Sequence, residues 1–275
     1  MFAKSIEIGA VLAVFAAAVS ASCAYGTSLH PRQEQPPAAK YGYGAVDGPL
    51  LWYGLNKTAN EECSRGNNQS PIVIDSTTKV SPASEISLEI PDYPDGAEFE
   101  NLGTTVEVIV NGTLKISGKE YKLAQFHFHT PGEHRINDEF YPMEVHFVHQ
   151  AEDNSRAVVG FMVELCNGSA EPFLGDVLAS VQEIKDSGAT TQTKPLSFKT
   201  LTESFNKTPT WRYDGSLTTP PCSEEVQWIV SQKILYLDVV TWLAAKKVVK
   251  FNARYTQNSP GNDNLLEISA RDLAE

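Results

Sequence analysis

The residues Gln125-Phe126-His127-Phe128-His129, followed along the chain by Glu144-Val145-His146-Phe147-Val148-His149, decide the fold of this sequence. Polar and apolar residues alternate in both stretches, and this period-two pattern predicts two half-buried β-strands. Successive side chains of a strand point to opposite faces, so His127 and His129 share one face of the first strand. If the second strand pairs with it antiparallel, His146 completes a triangle of imidazoles.

This triangle has the chemistry of a zinc site. Three neutral nitrogen ligands leave one coordination position open, which is what a catalytic zinc requires. Gln125 and Glu144 each stand two residues before a histidine on the same face, so each is placed to bond the ring nitrogen that the metal does not use. Five of the six histidines fall between residues 127 and 149. The pattern therefore predicts a Zn²⁺ site at His127, His129 and His146.

A rival metal pattern fits part of the same stretch. The spacing His127-x-His129-x3-Glu133 matches the core of the cupin motif, which usually holds iron or manganese. That motif expects a glycine after the glutamate, which this chain lacks, and it leaves Glu144 unexplained. The remaining histidines of the stretch are interpreted as buried and structural, namely His134 and His149.

Short runs of β-branched and aromatic residues, broken by Gly, Pro, Asn and Asp, continue on both sides of the histidine strands. Together with the two histidine strands, these runs predict eight β-strands, at Ser70–Asp75, Ile86–Ile90, Thr105–Val110, Leu114–Ile116, Tyr121–His129, Met143–Gln150, Ala157–Leu165 and Val226–Val230. Helical patterns cover Phe173–Ile184 and Asp238–Lys247. We therefore expect one mainly β (α+β) domain over residues 41–275, with peripheral short helices and a flexible lead segment over residues 25–40.

The N-terminus carries a separate signal. Lys4 precedes an apolar run from Ile8 to Val19 that is too short to span a membrane, and small residues follow it. This pattern predicts a secretory signal peptide over residues 1–24, cleaved after Ala21 or Ala24, and an extracellular product. A buried core helix is the alternative, but the prolines and polar residues that follow would isolate it from a core. No later stretch predicts a membrane anchor.

The composition excludes some partners. A formal net charge of -12 disfavours binding to nucleic acid or to anionic membrane, because both require a basic surface. A small neutral or weakly charged substrate fits better. The sequence leaves the oligomeric state open.

Four cysteines and five glycosylation sequons fit a secretory route. Cys63 and Cys222 lie in polar, turn-like contexts, which favours a disulfide between them, whereas Cys166 ends an apolar run and is predicted to be a buried thiol. Cys23 lies in the predicted cleavage region. The sequons begin at Asn56, Asn68, Asn111, Asn167 and Asn206.

Three further motifs carry a family resemblance. They are Gln69-Ser70-Pro71-Ile72, Ser216-Leu217-Thr218-Thr219-Pro220-Pro221 and Asn252-x-Arg254-x-x-Gln257. Together with the histidine strands they resemble the alpha-type carbonic anhydrases over nearly all of residues 41–257. This resemblance implies a central twisted, mostly antiparallel ten-stranded sheet with short flanking helices. The Cys63–Cys222 pairing is also similar to the disulfide of secreted members.

The resemblance implies an activity, the zinc-dependent reversible hydration of carbon dioxide to bicarbonate and a proton through zinc-bound hydroxide. Thr218 and Glu133 would orient the hydroxide by hydrogen bonding, and the backbone carbonyl of Asn252 would hold His129. The apolar wall for carbon dioxide would consist of Val148, Val158, Leu217 and Trp228. Two other pocket residues would order the solvent, Tyr43 and Thr219.

One position departs from the family pattern. Fast members carry a proton-shuttle histidine at the cavity mouth in an Asn-x-Gly-His stretch, whereas this chain has Asn101-Leu102-Gly103-Thr104. A threonine hydroxyl does not titrate near neutrality, so the resemblance implies slower, buffer-dependent turnover. Glu107 is expected to be a solvated carboxylate at the cavity mouth and therefore a poor proton acceptor. The alternative function is a non-catalytic binding module of the same fold, but such members usually break the histidine triad.

Overall fold

The structure, a computed structural model, describes residues 40–168 and 170–274. The predicted signal peptide, residues 1–24, and all of the predicted lead segment except residue 40 lie outside the described residues. Within the described ranges, no helix is both long and apolar enough to cross a membrane.

The described residues form fourteen strands and six α-helices. The strands are β1 Val73–Ile74, β2 Lys79–Ser81, β3 Ile86–Glu89, β4 Glu98–Asn101, β5 Val106–Ile116, β6 Lys119–His129, β7 Arg135–Ile136, β8 Glu139–Phe140, β9 Met143–Gln150, β10 Arg156–Cys166, β11 Thr190–Gln192, β12 Thr210–Gly215, β13 Val226–Ser231 and β14 Leu235–Asp238. The helices are α1 Trp52–Leu55, α2 Glu62–Arg65, α3 Pro172–Leu178, α4 Lys199–Phe205, α5 Val239–Val249 and α6 Leu265–Ala274.

Eleven of the described strands form one large sheet. Its order is β11-β4-β5-β6-β9-β10-β13-β12-β2, with β14 beside β10 and β3 beside β5. β10 pairs parallel with β13 and β14, and the other strand pairs of this sheet are antiparallel. The mainly β, mostly antiparallel single domain is confirmed. The sheet has eleven strands, one more than the predicted ten, and the strands at its two ends, β11 and β2, have only three residues each.

The sequence pattern locates the long strands and misses the short ones. β9 has the predicted range, Met143–Gln150. Two predicted strands, Thr105–Val110 and Leu114–Ile116, belong to the single strand β5, whose pairing with β6 is irregular between Ile109 and Gly112. The pattern does not predict β12, because its central residues are half-buried without alternation. Period two is therefore a signal only where one face is fully buried.

The two faces of the sheet bury different cores. The larger core lies against α3 and α5 and contains the phenylalanines of the histidine strands, where Phe126 stacks on Phe147 with ring centroids 4.8 Å apart. The smaller core, on the opposite face, contains Val148, Val158 and Trp228. His146 precedes Val148 by two residues and so projects from this second face. The alternation that buries the phenylalanines thus directs the histidines to the other side.

The predicted disulfide between Cys63 and Cys222 is confirmed. It joins residues 159 positions apart and lies in a small core with Tyr41 and Trp52. The prediction that Cys166 is buried is wrong, since its side chain is partly exposed. Cys166 is the last residue of β10, where the strand leaves the core and its burial decreases.

We expect the double variant Cys63→Ser/Cys222→Ser to have a free energy of unfolding about 4 kcal/mol lower than the wild type, because the crosslink closes a long loop and restricts the unfolded chain. Urea unfolding followed by circular dichroism measures this difference. Cys166→Ser is the control and should change the free energy by less than about 0.5 kcal/mol. A loss below about 1 kcal/mol in the double variant would contradict the expected contribution of the crosslink.

Candidate metal centre

The three predicted ligands meet where β6 and β9 pair. His127 lies directly opposite His146 in the antiparallel register, and a register shift between Leu123 and Gln125 sets this alignment. The ring centroids of His127, His129 and His146 are 4.5 to 5.4 Å apart. One ring nitrogen from each histidine lies within 4.8 Å of the other two. The structure therefore brings the predicted triangle together.

Each histidine of the triangle is held by its outer ring nitrogen. His127 Nδ1 is 2.9 Å from Gln125 Oε1, and His129 Nδ1 is 2.9 Å from the Asn252 carbonyl oxygen. His146 uses the other nitrogen, since its Nε2 is 2.8 Å from Glu144 Oε1. Nε2 of His127, Nε2 of His129 and Nδ1 of His146 thus remain to face one another. Of these, His129 Nε2 is buried without a hydrogen-bond partner among the described residues.

The electrostatics of the triangle fit a metal ion. Burial lowers the pKa of His129 to about 4, and burial with the neighbouring imidazoles holds the pKa of His127 well below its usual value. Burial also lowers the pKa of His146. All three rings are therefore neutral at pH 7, which is the form that binds metal. Three buried, neutral, oriented nitrogens with an orphaned Nε2 among them suit a tetrahedral ion with one open position.

Glu144 organises the layer behind the ligands. Its Oε2 accepts hydrogen bonds from the backbone amides of Glu133 and His134, at 2.7 and 2.9 Å. Its Oε1 contacts His134 Nδ1 at 2.7 Å as well as His146. Burial opposes ionisation, but the two histidines hold the pKa of Glu144 well below its ordinary value. The ionised carboxylate therefore fixes the orientation of His146.

His134 and His149 are both buried, as predicted. His134 lies near Glu144 and His146 in a second cluster of ligand-type atoms. Both of its nitrogens are already engaged, however, because Nε2 is 2.6 Å from the Tyr213 hydroxyl and Nδ1 contacts Glu144. Tyr213 in turn donates to Ser70 Oγ at 2.9 Å. The cluster of His134, Glu144 and His146 therefore supports the histidine triangle.

Glu133 lies beside the triangle with its carboxylate fully buried. Its Oε1 accepts from the Arg254 backbone amide at 2.8 Å and is 3.4 Å from His129 Nδ1. Burial raises the pKa of Glu133 to about 7, although His146, the Arg254 amide and the Thr218 hydroxyl each lower it. The Thr218 hydroxyl is therefore a neighbour of this carboxylate.

The predicted apolar wall is one contiguous cluster. Val148, Val158, Leu217 and Trp228 belong to the smaller core and are each less than a tenth exposed. The Trp228 ring centroid is 4.8 Å from that of His146. The wall therefore begins directly beside the histidine triangle. The two predicted solvent-ordering residues differ in burial, because Thr219 is buried whereas Tyr43 is half-buried.

The expectation for Glu107 is wrong. This side chain is buried, not solvated, because Glu107 lies in β5 directly opposite His127 and shares the inner face of the sheet. That Glu107 and His127 lie on the same face of the sheet becomes clear only when the register of β5 and β6 is known. Thr104, the position of the missing shuttle, is also buried. Its carbonyl oxygen accepts from Asn252 Nδ2 at 3.0 Å.

The sequence motifs contain Arg254 but do not reveal its role. Its buried guanidinium donates from Nη1 to the Ser70 carbonyl at 2.8 Å and from Nη2 to the Cys63 carbonyl at 3.1 Å. Burial lowers its pKa to about 10, so it remains charged at neutrality. It lies over the Trp52 ring, 5.7 Å from the centroid. Arg254 thereby connects the disulfide loop with the carboxylate of Glu133.

Comparison with known proteins decides the family. Residues 47–267 match the family model described as Eukaryotic-type carbonic anhydrase. The chain belongs to the alpha carbonic anhydrase family. It is 46% identical to the fungal alpha carbonic anhydrase from Aspergillus oryzae, whose structure superposes with a TM-score of 0.81 over 84% of this chain and 98% of that chain. A carbonic anhydrase from Neisseria gonorrhoeae is 32% identical, over 84% of this chain and 85% of its own length.

The carbonic anhydrase family also includes relatives with other names. Dioscorin dioA3 from Dioscorea japonica is 31% identical to this chain, over 78% of each protein. Not every relative of this chain is therefore named a carbonic anhydrase.

Proposed function

We propose that this protein is a zinc-dependent carbonic anhydrase, which hydrates carbon dioxide reversibly to bicarbonate and a proton. The observation that carries the proposal is the triangle of His127, His129 and His146, whose outer nitrogens are all occupied while one nitrogen of each faces the others. A zinc ion held by these three histidines would supply a water molecule of lowered pKa, as is established for the carbonic anhydrases.

Thr218 and Glu133 act as a hydrogen-bonded pair in this proposal. The Arg254 amide holds the Glu133 carboxylate in place, and this carboxylate accepts the proton of the Thr218 hydroxyl. A hydroxyl that donates in this direction has only its lone pairs to offer the cavity. Thr218 Oγ1 therefore accepts a hydrogen bond from a donor in the cavity. This bond fixes the orientation of the oxygen that attacks carbon dioxide.

The apolar wall suits the substrate. Carbon dioxide has no hydrogen-bond donor and is a weak acceptor, so a pocket of Val148, Val158, Leu217 and Trp228 loses little by lacking polar groups. The Trp228 indole donates to the Ser216 carbonyl at 2.9 Å, which leaves no unsatisfied indole N–H in this wall. When carbon dioxide displaces water from this apolar wall, the change in free energy is favourable.

The alternative is a non-catalytic binding module on the same fold. The intact triangle and the Thr218–Glu133 pair argue against it, because a binding role does not require buried neutral histidines with oriented outer nitrogens. Zinc-loaded protein that does not hydrate carbon dioxide would favour this alternative.

We expect the hydration rate to rise with imidazole concentration, because Thr104 cannot store the proton that a shuttle histidine would take. Stopped-flow hydration of carbon dioxide, measured from buffer-poor solution to saturating imidazole, checks this prediction and with it the proposed function. The control is the same titration after zinc removal, which should show no catalysed rate. Turnover that is independent of imidazole would show that another group of the protein stores the proton.

We also propose that the protein is secreted through an oxidising compartment. The Cys63–Cys222 disulfide supports this proposal, because such bonds persist mainly outside the cytosol. Three of the five sequon asparagines are exposed: Asn56, Asn111 and Asn167. The other two have engaged amides, since Asn68 Nδ2 donates to Glu224 Oε2 at 3.3 Å and Asn206 bonds both backbone groups of Leu88, at 2.8 and 3.0 Å.

In a eukaryotic secretory host, we expect glycans at Asn56, Asn111 and Asn167 and none at Asn206. A glycan on Asn206 would replace one of the two Nδ2 hydrogens, beside the bond to the Leu88 carbonyl, and place a bulky sugar in the contact between α4 and β3. Mass spectrometry of peptides after enzymatic deglycosylation in heavy-oxygen water measures the occupancy of each site. Full occupancy of Asn206 in folded, active protein would contradict the expectation.

A further inference from the structure

An apolar groove lies beside the turn that follows β6. Its walls come from this turn, from the region of β8 and from α5 with the residues after it. The residues that characterise it are Pro131, Phe140, Trp242, Lys246, Lys250 and Phe251. The cavity has a volume of about 350 Å³, which lies within the range of small-molecule sites. None of the three metal-site histidines lines it, so the groove is separate from the histidine triangle.

The walls of the groove present large apolar side chains to solvent. Phe140 and Phe251 are 68% and 61% exposed, whereas Trp242 packs with part of its ring against the larger core. A second cavity of about 390 Å³ shares Phe140 and Phe251 and extends the apolar surface to Leu50, which is 65% exposed. Neighbouring exposed apolar side chains of this size mark a binding site more often than a bare surface.

Two lysines give the groove a positive charge. Lys246 Nζ lies 4.3 Å from the centroid of the Trp242 ring, so its ammonium group is held over the apolar wall by a cation–π contact. Lys250 lines the same cavity, and its carbonyl oxygen accepts a hydrogen bond from the Thr130 hydroxyl. No acidic residue is among the described residues that line this cavity. The groove is therefore cationic on a chain whose formal net charge is -12.

We propose that this groove binds an aromatic monocarboxylate, whose ring packs on the aromatic wall and whose carboxylate lies beside Lys246 and Lys250. Aromatic side chains bind flat apolar rings, and an ammonium group pairs with a carboxylate through charge-assisted hydrogen bonds. A second copy of the chain is a poorer occupant, because a two-fold contact through this face would bring the same lysines of both copies together. A carboxylate instead offsets their charge.

The probe for this site is 2-naphthoate, titrated into ¹⁵N-labelled protein and followed by NMR. Of the four tryptophan indole signals, that of Trp242 should shift most, and Trp242→Phe identifies this signal. We expect a Kd of about 1 mM or lower, from the size of the probe. The Kd should be the same before and after zinc removal. Uncharged 2-naphthamide, which has the same ring, should bind about tenfold more weakly.

Three variants locate the probe in the groove. The double variant Lys246→Gln/Lys250→Gln should raise the Kd of 2-naphthoate by about tenfold, because both charges are lost. Phe251→Ser should raise it by a similar factor, because part of the aromatic wall is lost. Lys247→Gln is the matched control and should leave the Kd unchanged, since Lys247 is an exposed lysine of the same helix that does not line the cavity.

The substituted side chains are all exposed, so the variants should keep melting temperatures within about 2 °C of the wild type. A loss of binding in these variants can then be assigned to the groove and not to unfolding.

Four outcomes would overturn the proposal, and none of them depends on hydration activity. The first is a Trp242 signal that does not move at about 10 mM 2-naphthoate. Binding that disappears with zinc would place the probe at the metal centre. Equal binding of 2-naphthamide would show that the lysines do not select a carboxylate. A dimer in analytical ultracentrifugation that Phe251→Ser dissociates would assign the groove to a second copy of the chain.

Discussion

Replacing His129 with alanine is expected to abolish zinc binding and to lower the hydration rate by about a thousandfold or more. His129 Nε2 is the buried, orphaned nitrogen of the triangle, and its Nδ1 is held by the Asn252 carbonyl. Its removal leaves two of the three protein ligands, which is one fewer than catalytic zinc sites have. Metal catalysis supplies several kcal/mol, and each 1.36 kcal/mol corresponds to about a tenfold rate change.

Zinc content by atomic absorption and stopped-flow hydration on the same sample measure the effect of His129→Ala. Lys122→Ala is the matched control, because Lys122 is an exposed residue of the same strand, β6. It should retain full zinc and activity. A His129→Ala variant that kept about one zinc per chain and wild-type turnover would show that the triangle is not the catalytic site.

Thr218→Val should lower kcat/KM by about a hundredfold while zinc content stays unchanged. Valine keeps the shape of the side chain but neither donates to Glu133 nor accepts from the cavity. Because Thr218 acts in the proposal by orienting the attacking oxygen, its loss affects the reaction and not the metal. Stopped-flow kinetics with parallel zinc analysis separate the two effects.

Glu133→Gln supplies the matched test of the same pair. Both carboxylate oxygens of Glu133 accept a hydrogen bond, whereas a glutamine amide accepts with its oxygen and donates with its nitrogen. Glutamine therefore does not ensure that the Thr218 hydroxyl is the donor. The double variant Thr218→Val/Glu133→Gln should therefore be no worse than the poorer single variant. Fully additive losses would mean that Thr218 and Glu133 act independently, and loss of zinc in Thr218→Val would mean that the threonine supports the metal site.

The histidine triangle was predictable because a strand has a fixed side-chain period. His127 and His129 are two positions apart and therefore lie on one face, and the same spacing puts Gln125 and Glu144 on the face of the histidines that follow them. The face that each histidine shares with its neighbours could be predicted from the sequence of a single strand. The disulfide was predictable in part from context, since Cys63 and Cys222 lie in similar polar turns.

Other parts of the site depend on register between strands, which the period alone does not determine. Glu107 was expected in solvent, yet it lies opposite His127 because β5 pairs with β6 in one particular alignment. The irregularities between Ile109 and Gly112 and between Leu123 and Gln125 belong to this alignment. A slip of one residue would have turned Glu107 to the other face.

Contacts between distant segments are the least visible in the sequence. Asn252 follows His129 by 123 positions and Arg254 follows Glu133 by 121 positions. No local pattern indicates which of these backbone groups will face which side chain. Only the resemblance to a family placed Asn252 beside His129.

The central claim is that a zinc ion on the three histidines makes this protein a carbonic anhydrase. The most direct test is stopped-flow hydration of carbon dioxide by the purified chain before chelation, after zinc removal by a strong chelator, and after return of zinc. We predict that activity is lost with the metal and restored by about one equivalent of zinc per chain. Hydration that survives complete zinc removal, or fully zinc-loaded protein that does not hydrate carbon dioxide, would contradict the claim.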